Sequence, residues 1–554
     1  MSVDQITESV VVLDGTSGLS RQELGGKAWG INAMRRLGLP VPPAFTLPTS
    51  LCREFMATGC LPSTLAADLR AGLDHLERET GRRFGASGRP LLVSVRSGAA
   101  ASMPGMMDTV LNLGCTSAAE RALAQESGNA AWAAEVRARF LAQYRTIVVN
   151  ADATVPDDPF EQLHGAVEAV LRSWRSPRAL AYRAHRGLGE DGGTAVTVQA
   201  MVFGNVDDRS GTGVLFSRNP LTGARIPYGE WLPGGQGDDV VSGTCTPLPL
   251  AALAAAQSEV HQQLLSIAEE LEHQARDVQD IEFTVESGRL WILQTRNAKR
   301  SPRAAVHAAV SMVAEGLISE REAVGRVRPE QVRSLLAAQL DDSTRAVAVL
   351  LAKGEPACPG SASGVVVIDT DEAERLADAG TDVVLARTTT APEDVAGMFA
   401  SVAVITEQGG ATSHAALVSR EIGVPCVVGA GVDTLMVLAG ETVTVDGGTG
   451  EIFAGRLVGA PIKEQDDADL GALVDWAQRA TNVRVHADSA SLEGQAPMVT
   501  DAAQLETVAR RARAVTLCDP LLHDPAAAGL LIASSVTDVV AVPRLPLLLS
   551  LVSS

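Results

Sequence analysis

Residues 409–423 read "GGATSHAALVSREIG", a Gly-Gly turn, then Thr-Ser-His, then an apolar run with helical spacing. That arrangement puts His414 in the first turn of a helix. Free backbone N–H groups and the positive end of the helix dipole there stabilise an attached phosphoryl group. The same field disfavours imidazolium and leaves a neutral ring with a nitrogen free to attack. Thr412 or Ser413 is expected to cap the helix. Taken alone, His414 also suits a buried polar contact at a helix start.

A second cluster lies in "QDIEFTVESGRLWILQTRN", residues 279–297. Its alternation predicts two strands around a turn. We expect a three-residue loop, Glu286-Ser287-Gly288, which sets Asp280 opposite Gln294 and Glu282 opposite Ile292. Asp280, Glu282, Gln294 and Arg296 then share one face. Paired carboxylates suit Mg²⁺, which completes its shell with phosphate oxygens, and Arg296 can grip such oxygens in bidentate fashion. The hairpin by itself is more readily read as a solvated ribbon with a surface ion pair. Other phosphate contacts are Lys27 after Gly25-Gly26, Arg96 at a strand end, and a glycine-rich turn at Gly211 and Gly213.

Positioning such groups requires several structural units, and the chain is long enough for about three or four at roughly 150 residues each. Residues 1–302 alternate β-rich runs such as "PLLVSVRSG" and "GTGVLFSRNP" with helical stretches such as "TLAADLRAGLDHLERET". Residues 303–356 read as a helical linker. The composition shift at "GEPACPGSASG" marks a boundary and a hinge that should permit rotation, and residues 357–458 form a compact α/β unit. Residues 459–554 carry weaker signals of strand and helix.

The net charge of -20, from 66 acidic and 46 basic residues, argues against nucleic acid or an anionic membrane as partner. Seven dispersed cysteines without a CxxC pair predict reduced thiols, and with no signal peptide evident the expected location is cytoplasmic. No apolar run of about 18 residues predicts a membrane span. The histidines at 75, 164, 185, 261, 273, 307, 486 and 523 lack a supporting motif and are assigned to packing or surface.

The segments "GGKAWGINAMRRLGLPVPPAF", "SVRSGAAASMPGMMDTVLNLG", "TVQAMVFGNVDDRSGTGVLFSRNP", "DIEFTVESGRLWILQTRN" and "GGATSHAALVSREIGVPCVVG" together resemble the pyruvate, phosphate dikinase family in order and spacing, over about residues 10–455. The resemblance implies an α/β and α+β multidomain fold: an ATP-grasp nucleotide-binding region, a swivelling phosphohistidine domain and a short α/β tail. It places Lys27, Arg96, Asp280, Glu282, Gln294 and Arg296 on nucleotide and metal positions, with Asp280 and Glu282 as ligands of Mg²⁺. Thr212 and Gly213 fall on a phosphate-covering loop, and His414 on the phosphoryl carrier. "SMPGMMDTVLNLG" is nearer to the phosphate-using dikinase than to phosphoenolpyruvate synthase, which uses water.

The family's pyruvate-binding (βα)₈ barrel needs about 250 residues, so residues 459–554 are expected to be only a vestigial start of it. The arginine of the family's "GLxRTEHMF"-like segment is absent from "TLCDPLLHD". Three functions follow from the resemblance. ATP with orthophosphate phosphorylates His414, and the phosphoryl group passes to pyruvate bound on a separate barrel protein or to another acceptor. Alternatively the chain is a non-catalytic nucleotide-binding regulator, or a small-molecule kinase with a different acceptor. The apolar "VVAVPRLPLLLSLV" near the end, if exposed, hints at a homodimer interface.

Overall fold

A computed structural model describes residues 10–101, 103, 106–149, 154–185, 187–241, 247–492, 496–519 and 521–553. Residues 102, 104 and 105 of the "SMPGMM" segment, the His185 side chain and Cys245 lie outside the described residues.

Two antiparallel five-stranded sheets make up the N-terminal region. The first has the order Val11–Val12, Ala44–Leu47, Ala195–Ala200, Val93–Gly98, Thr109–Leu113; the second has Leu248–Pro249, Tyr228–Pro233, Gly211–Phe216, Gln279–Glu286, Arg289–Asn297. Alternation sets Ile281, Phe283 and Val285 on one face of the second sheet, where all three are fully buried against Leu264, Ile267 and Leu271 of the helix Ser258–Ala275 and Ile31 of the helix Arg21–Arg36. The opposite face carries the polar residues that the hairpin sequence points to.

The hairpin register differs from the expected one. Ser287 and Gly288 both have positive φ and form a two-residue turn with Glu286 opposite Arg289, the pattern favoured by strand twist. A bulge at Leu293 then shifts the pairing by one, so that Glu282 faces Gln294 and Asp280 faces Arg296. The turn alone would have sent the polar set to the wrong face, and the bulge returns it.

Thr212 and Gly213 are not in a covering loop. They lie inside the strand Gly211–Phe216, between Tyr228–Pro233 and Gln279–Glu286. The Thr212 hydroxyl donates to the Phe283 carbonyl at 3.0 Å, and a Cβ on Gly213 would collide with the Phe283 ring. Glycine here serves close strand packing.

Residues 350–454 contain a mixed eight-stranded sheet in the order Leu350–Lys353, Glu451–Ala454, Thr442–Asp446, Ser361–Val367, Val383–Arg387, Ala403–Thr406, Cys426–Val428, Glu355–Cys358. Its parallel strands Ala403–Thr406 and Cys426–Val428 are joined by the crossover helix His414–Ile422. The "GEPACPGSASG" segment is therefore not a free hinge, because Glu355–Cys358 pairs with Cys426–Val428 inside the sheet. The chain instead enters and leaves this unit through a two-stranded ribbon, with Ala338 opposite Pro461 and Gln339 opposite Ala460.

The expected linker helices do not stand alone either. Pro302–Ala314, Glu320–Arg326 and Pro329–Leu336 share one core with the tail. Val306, Met312 and Val332 meet Leu470 and Leu473 of Ala468–Ala480 and Leu547, Leu548 and Leu551 of Leu545–Ser553. The apolar end is thus covered from within the chain, which removes the reason for inferring a homodimer. The tail's four strands are parallel but run in the order Arg484–His486, Asp538–Val540, Ala514–Leu517, Met498–Val499. A barrel start would pair each strand with the next in sequence; here the first pairs with the last. Among the described residues no helix is long and apolar enough to cross a membrane.

Candidate functional site

The two N-terminal sheets meet at an ionic cluster. Arg96, from the first sheet, reaches Glu282 Oε2 at 3.3 Å and Gln294 Oε1 at 3.5 Å in the second. Arg296 Nε donates to Asp280 Oδ2 at 2.6 Å, and its Nη2 lies 3.5 Å from Glu282. Asp280 is 1% exposed, and its Oδ1 is buried with no hydrogen-bond partner. Burial, opposed by Arg296, pushes the Asp280 carboxyl up. Burial works against the Glu282 charge as well, but Arg296, Arg96 and Lys27 outweigh it and hold that carboxyl low. The neighbouring carboxylates in turn push the Arg296 guanidinium up despite its burial.

Lys27 follows a kink in the helix Arg21–Arg36, where Gly25 has φ 72° and ψ 158°. A Cβ at Gly25 would overlap the Gly98 carbonyl, so glycine lets the helix press against the end of the Arg96 strand. The expected Lys27, Arg96, Asp280, Glu282, Gln294 and Arg296 set is therefore brought together, whereas Thr212 and Gly213 sit within the second sheet.

His414 opens its helix at the C-terminal end of the Ala403–Thr406 strand, the edge of an open α/β sheet that binds ligands. It is 7% exposed. Its Nδ1 lies 3.2 Å from the Thr390 hydroxyl, and its Nε2 has no hydrogen-bond partner. Burial lowers its affinity for protons, although Asp394 and Glu393 oppose this. The capping expectation fails in detail. Ser413 holds the N-cap position without a side-chain cap bond, and the Thr412 hydroxyl donates to Glu230.

Glu230, from the strand Tyr228–Pro233 of the second N-terminal sheet, accepts the Ala411 and Thr412 amides at 2.9 and 3.1 Å. At the other end of the helix, Glu421 accepts Lys299 at 2.9 Å and the Tyr182 hydroxyl at 3.2 Å. Lys299 closely follows the hairpin that carries Arg296. The His414 helix is thus tied at both ends to the N-terminal region, with roughly 10 Å of helix between His414 and Glu421.

Two family models match the chain: "Pyruvate phosphate dikinase, AMP/ATP-binding domain" over residues 59–250 and 251–317, and "PEP-utilising enzyme, mobile domain" over residues 380–450. The pyruvate, phosphate dikinase of Rhizobium meliloti is 39% identical over 540 residues, 85% of this chain and 60% of that protein. The chain belongs to the pyruvate, phosphate dikinase family. The Clostridium symbiosum enzyme is 37% identical over 532 residues, covering 85% of this chain and 60% of its own length. Pyruvate, phosphate dikinase 2 of Oryza sativa subsp. japonica is 40% identical over 522 residues, covering 84% and 58%. The chain thus spans about 60% of the length of these curated relatives.

Within this dikinase-family site, sequence reasoning missed Glu230, Thr390, Lys299, Arg420 and Glu421. Glu230 carries a local signal, a carboxylate between Gly229 and Trp231 in a strand with an apolar face. Arg420 and Glu421 carry another, as adjacent opposite charges after the apolar run Ala415–Val418 in a nine-residue helix. Thr390 and Lys299 come into place only through the tertiary fold.

Proposed function

We propose that this chain is an ATP-dependent phosphotransferase in which His414 takes a phosphoryl group from ATP held between the two N-terminal sheets. Orthophosphate is the co-substrate, and AMP and pyrophosphate are released. The observation that carries this reading is the docking of the His414 helix on the unit that holds the Arg96–Glu282–Arg296 cluster, tied at one end by Glu230 and at the other by Lys299.

In this mechanism Lys27, Arg96 and Arg296 hold phosphate oxygens, the arginines in bidentate fashion. The Asp280 Oδ1, buried without a partner beside Glu282, fits Mg²⁺ together with phosphate oxygens. Bound Mg²⁺ supplies charge neutralisation and alignment of the phosphates. The Nδ1–H of His414 donates to the Thr390 hydroxyl, which leaves the Nε2 lone pair to attack. The Nε2–P bond to the β-phosphorus forms as the bond between that phosphorus and the AMP oxygen breaks, and AMP leaves with the electron pair. An orthophosphate oxygen then bonds to the γ-phosphorus as the bond from that phosphorus to the oxygen bridging it to the β-phosphorus breaks, so pyrophosphate leaves and a single phosphoryl group stays on Nε2. The ribbon at 338–339 and 460–461 then serves as the pivot on which the unit turns towards pyruvate or another acceptor, bound on a separate barrel protein or elsewhere.

ATP labelled at the β-phosphorus, with Mg²⁺ and orthophosphate, should give an acid-labile label on the wild type and none on His414→Ala. An unlabelled wild type would overturn the reading.

A further inference from the structure

Among the described residues Arg420 is one of the three largest fully buried side chains, and it is 1% exposed. Among the described residues no carboxylate lies within ion-pair distance of it. Its Nε donates to the Ala357 carbonyl at 2.8 Å, its Nη2 donates to the Ala411 carbonyl, and its Nη1 has no hydrogen-bond partner. The guanidinium also lies 5.5 Å from the centre of the Phe216 ring, in the neighbouring unit. Burying a guanidinium with neutral acceptors alone is costly, so the two carbonyls it chooses are informative.

Ala357 belongs to the edge strand Glu355–Cys358, and Ala411 to the loop between Gly409 and His414. Gly409 has φ 103°, and Gly410 follows it, so the loop has little stiffness of its own. Arg420 ties that loop to the sheet of its own unit. The Ala411 peptide is held on both sides, its carbonyl by Arg420 and its N–H by Glu230. The two ties differ in kind. Glu230 belongs to the nucleotide-side unit and is left behind when the carrier turns, whereas Arg420 sits six residues along the His414 helix and travels with it.

We propose that Arg420 is a positioning residue that holds the 409–413 loop in shape, so that His414 and the loop N–H groups keep the geometry of phosphoryl transfer when Glu230 lets go. The catalytic part of this inference rests on the phosphohistidine reading above. A planar fork reaches two carbonyls at once; a lysine ammonium, a hydrated point charge, does not replace it.

The test uses Arg420→Gln and Arg420→Lys in the full chain, with two readouts. Amide exchange at residues 409–414 should quicken by roughly tenfold or more, while the Val383–Arg387 and Ala403–Thr406 strands keep their protection. In single turnovers from β-labelled ATP, the half-saturating ATP concentration should stay unchanged while the maximum rate of His414 labelling falls roughly 100-fold. A general loss of fold would instead lower the labelled amplitude and the protection of the strands. If Arg420→Gln does not fold, Arg420→Lys decides. Unchanged loop exchange and labelling rate in a folded variant would overturn the proposal, and so would an Arg420→Lys protein equal to wild type in both. Were the wild type to take no label, the phosphotransferase reading would fall, and the exchange readout would still decide whether Arg420 orders the loop.

Discussion

Glu230 and Thr412 stand 182 residues apart on different units, yet the Thr412 amide donates to the Glu230 carboxylate at 3.1 Å and its hydroxyl donates to the same oxygen. The carboxylate occupies the position at the mouth of the His414 helix that suits an anion. It therefore does two things at once, holding the His414 unit against the N-terminal sheets and occupying N–H groups that suit an anion.

Docking should depend on pH through this carboxylate. Burial pushes the Glu230 carboxyl above its ordinary value, with the Thr412 and Ala411 hydrogen bonds opposing. In the released state the group regains water, so the docked state binds its proton more tightly. Docking is then favoured below the ordinary carboxyl value and weakens as pH rises through the raised one. A fluorescence pair spanning the two units should report tighter docking as pH falls from neutrality towards the ordinary carboxyl value. Glu230→Gln should flatten that profile, and a profile unchanged in this variant would count against the assignment.

Arg296 should matter for stability as well as for nucleotide. Its removal leaves Asp280 as a buried carboxylate without a charge partner. Arg296→Met is expected to cost about 3–5 kcal/mol, read as a lower midpoint in urea. The double variant with Asp280→Asn should recover much of the loss, because no orphaned charge remains.

The polar face of the 279–297 hairpin was legible in the sequence because strand alternation is local, and so was the histidine at a helix mouth, because turn and helix signals adjoin it. The register was not, since the bulge at Leu293 is set by how Gln279–Glu286 pairs on both sides. Thr212 and Gly213 misled for a related reason. Glycines in "SGTGVLF" signal a turn locally, but here they admit Phe283 and the neighbouring strand. The apolar end could not be placed either, because its partners at 306–335 and 470–474 are distant in sequence.

That covered end gives a prediction of its own. Leu548 is fully buried in the core shared by the helices at 302–336 and the tail. Leu548→Ala should destabilise this core by about 2–5 kcal/mol, seen as a lower Tm. Size-exclusion mass at low temperature should match the wild type, since the leucine packs within the chain. A change in oligomeric state without a stability loss would contradict the packing.

If His414 takes the phosphoryl group as proposed, its labelling should persist under mildly acidic conditions. Burial holds the imidazole's proton affinity below the ordinary histidine value of about 6.5. The neutral ring therefore survives as pH falls through that value and is lost only below it. The same depression means that the unfolded chain binds the proton more tightly, so His414 favours unfolding increasingly as pH drops beneath about 6.5. Initial rates of label incorporation should show no inflection at the ordinary histidine value; an inflection there would indicate a ring exposed to water.

Gly410 separates docking from folding. Its φ is not in the left-handed region, so alanine fits the backbone, but a Cβ there would overlap the Glu230 carboxylate. That carboxylate is held by three donors and has little freedom to withdraw. Gly410→Ala should therefore disfavour the docked state while leaving the carrier unit itself intact. Scattering should report a larger radius of gyration, and the Tm of the carrier unit should stay near the wild-type value. Truncating the obstruction in Gly410→Ala/Glu230→Ala should give less than the sum of the two single effects, because both act on one contact. Additive effects would mean that Gly410 acts through the backbone of its own loop instead.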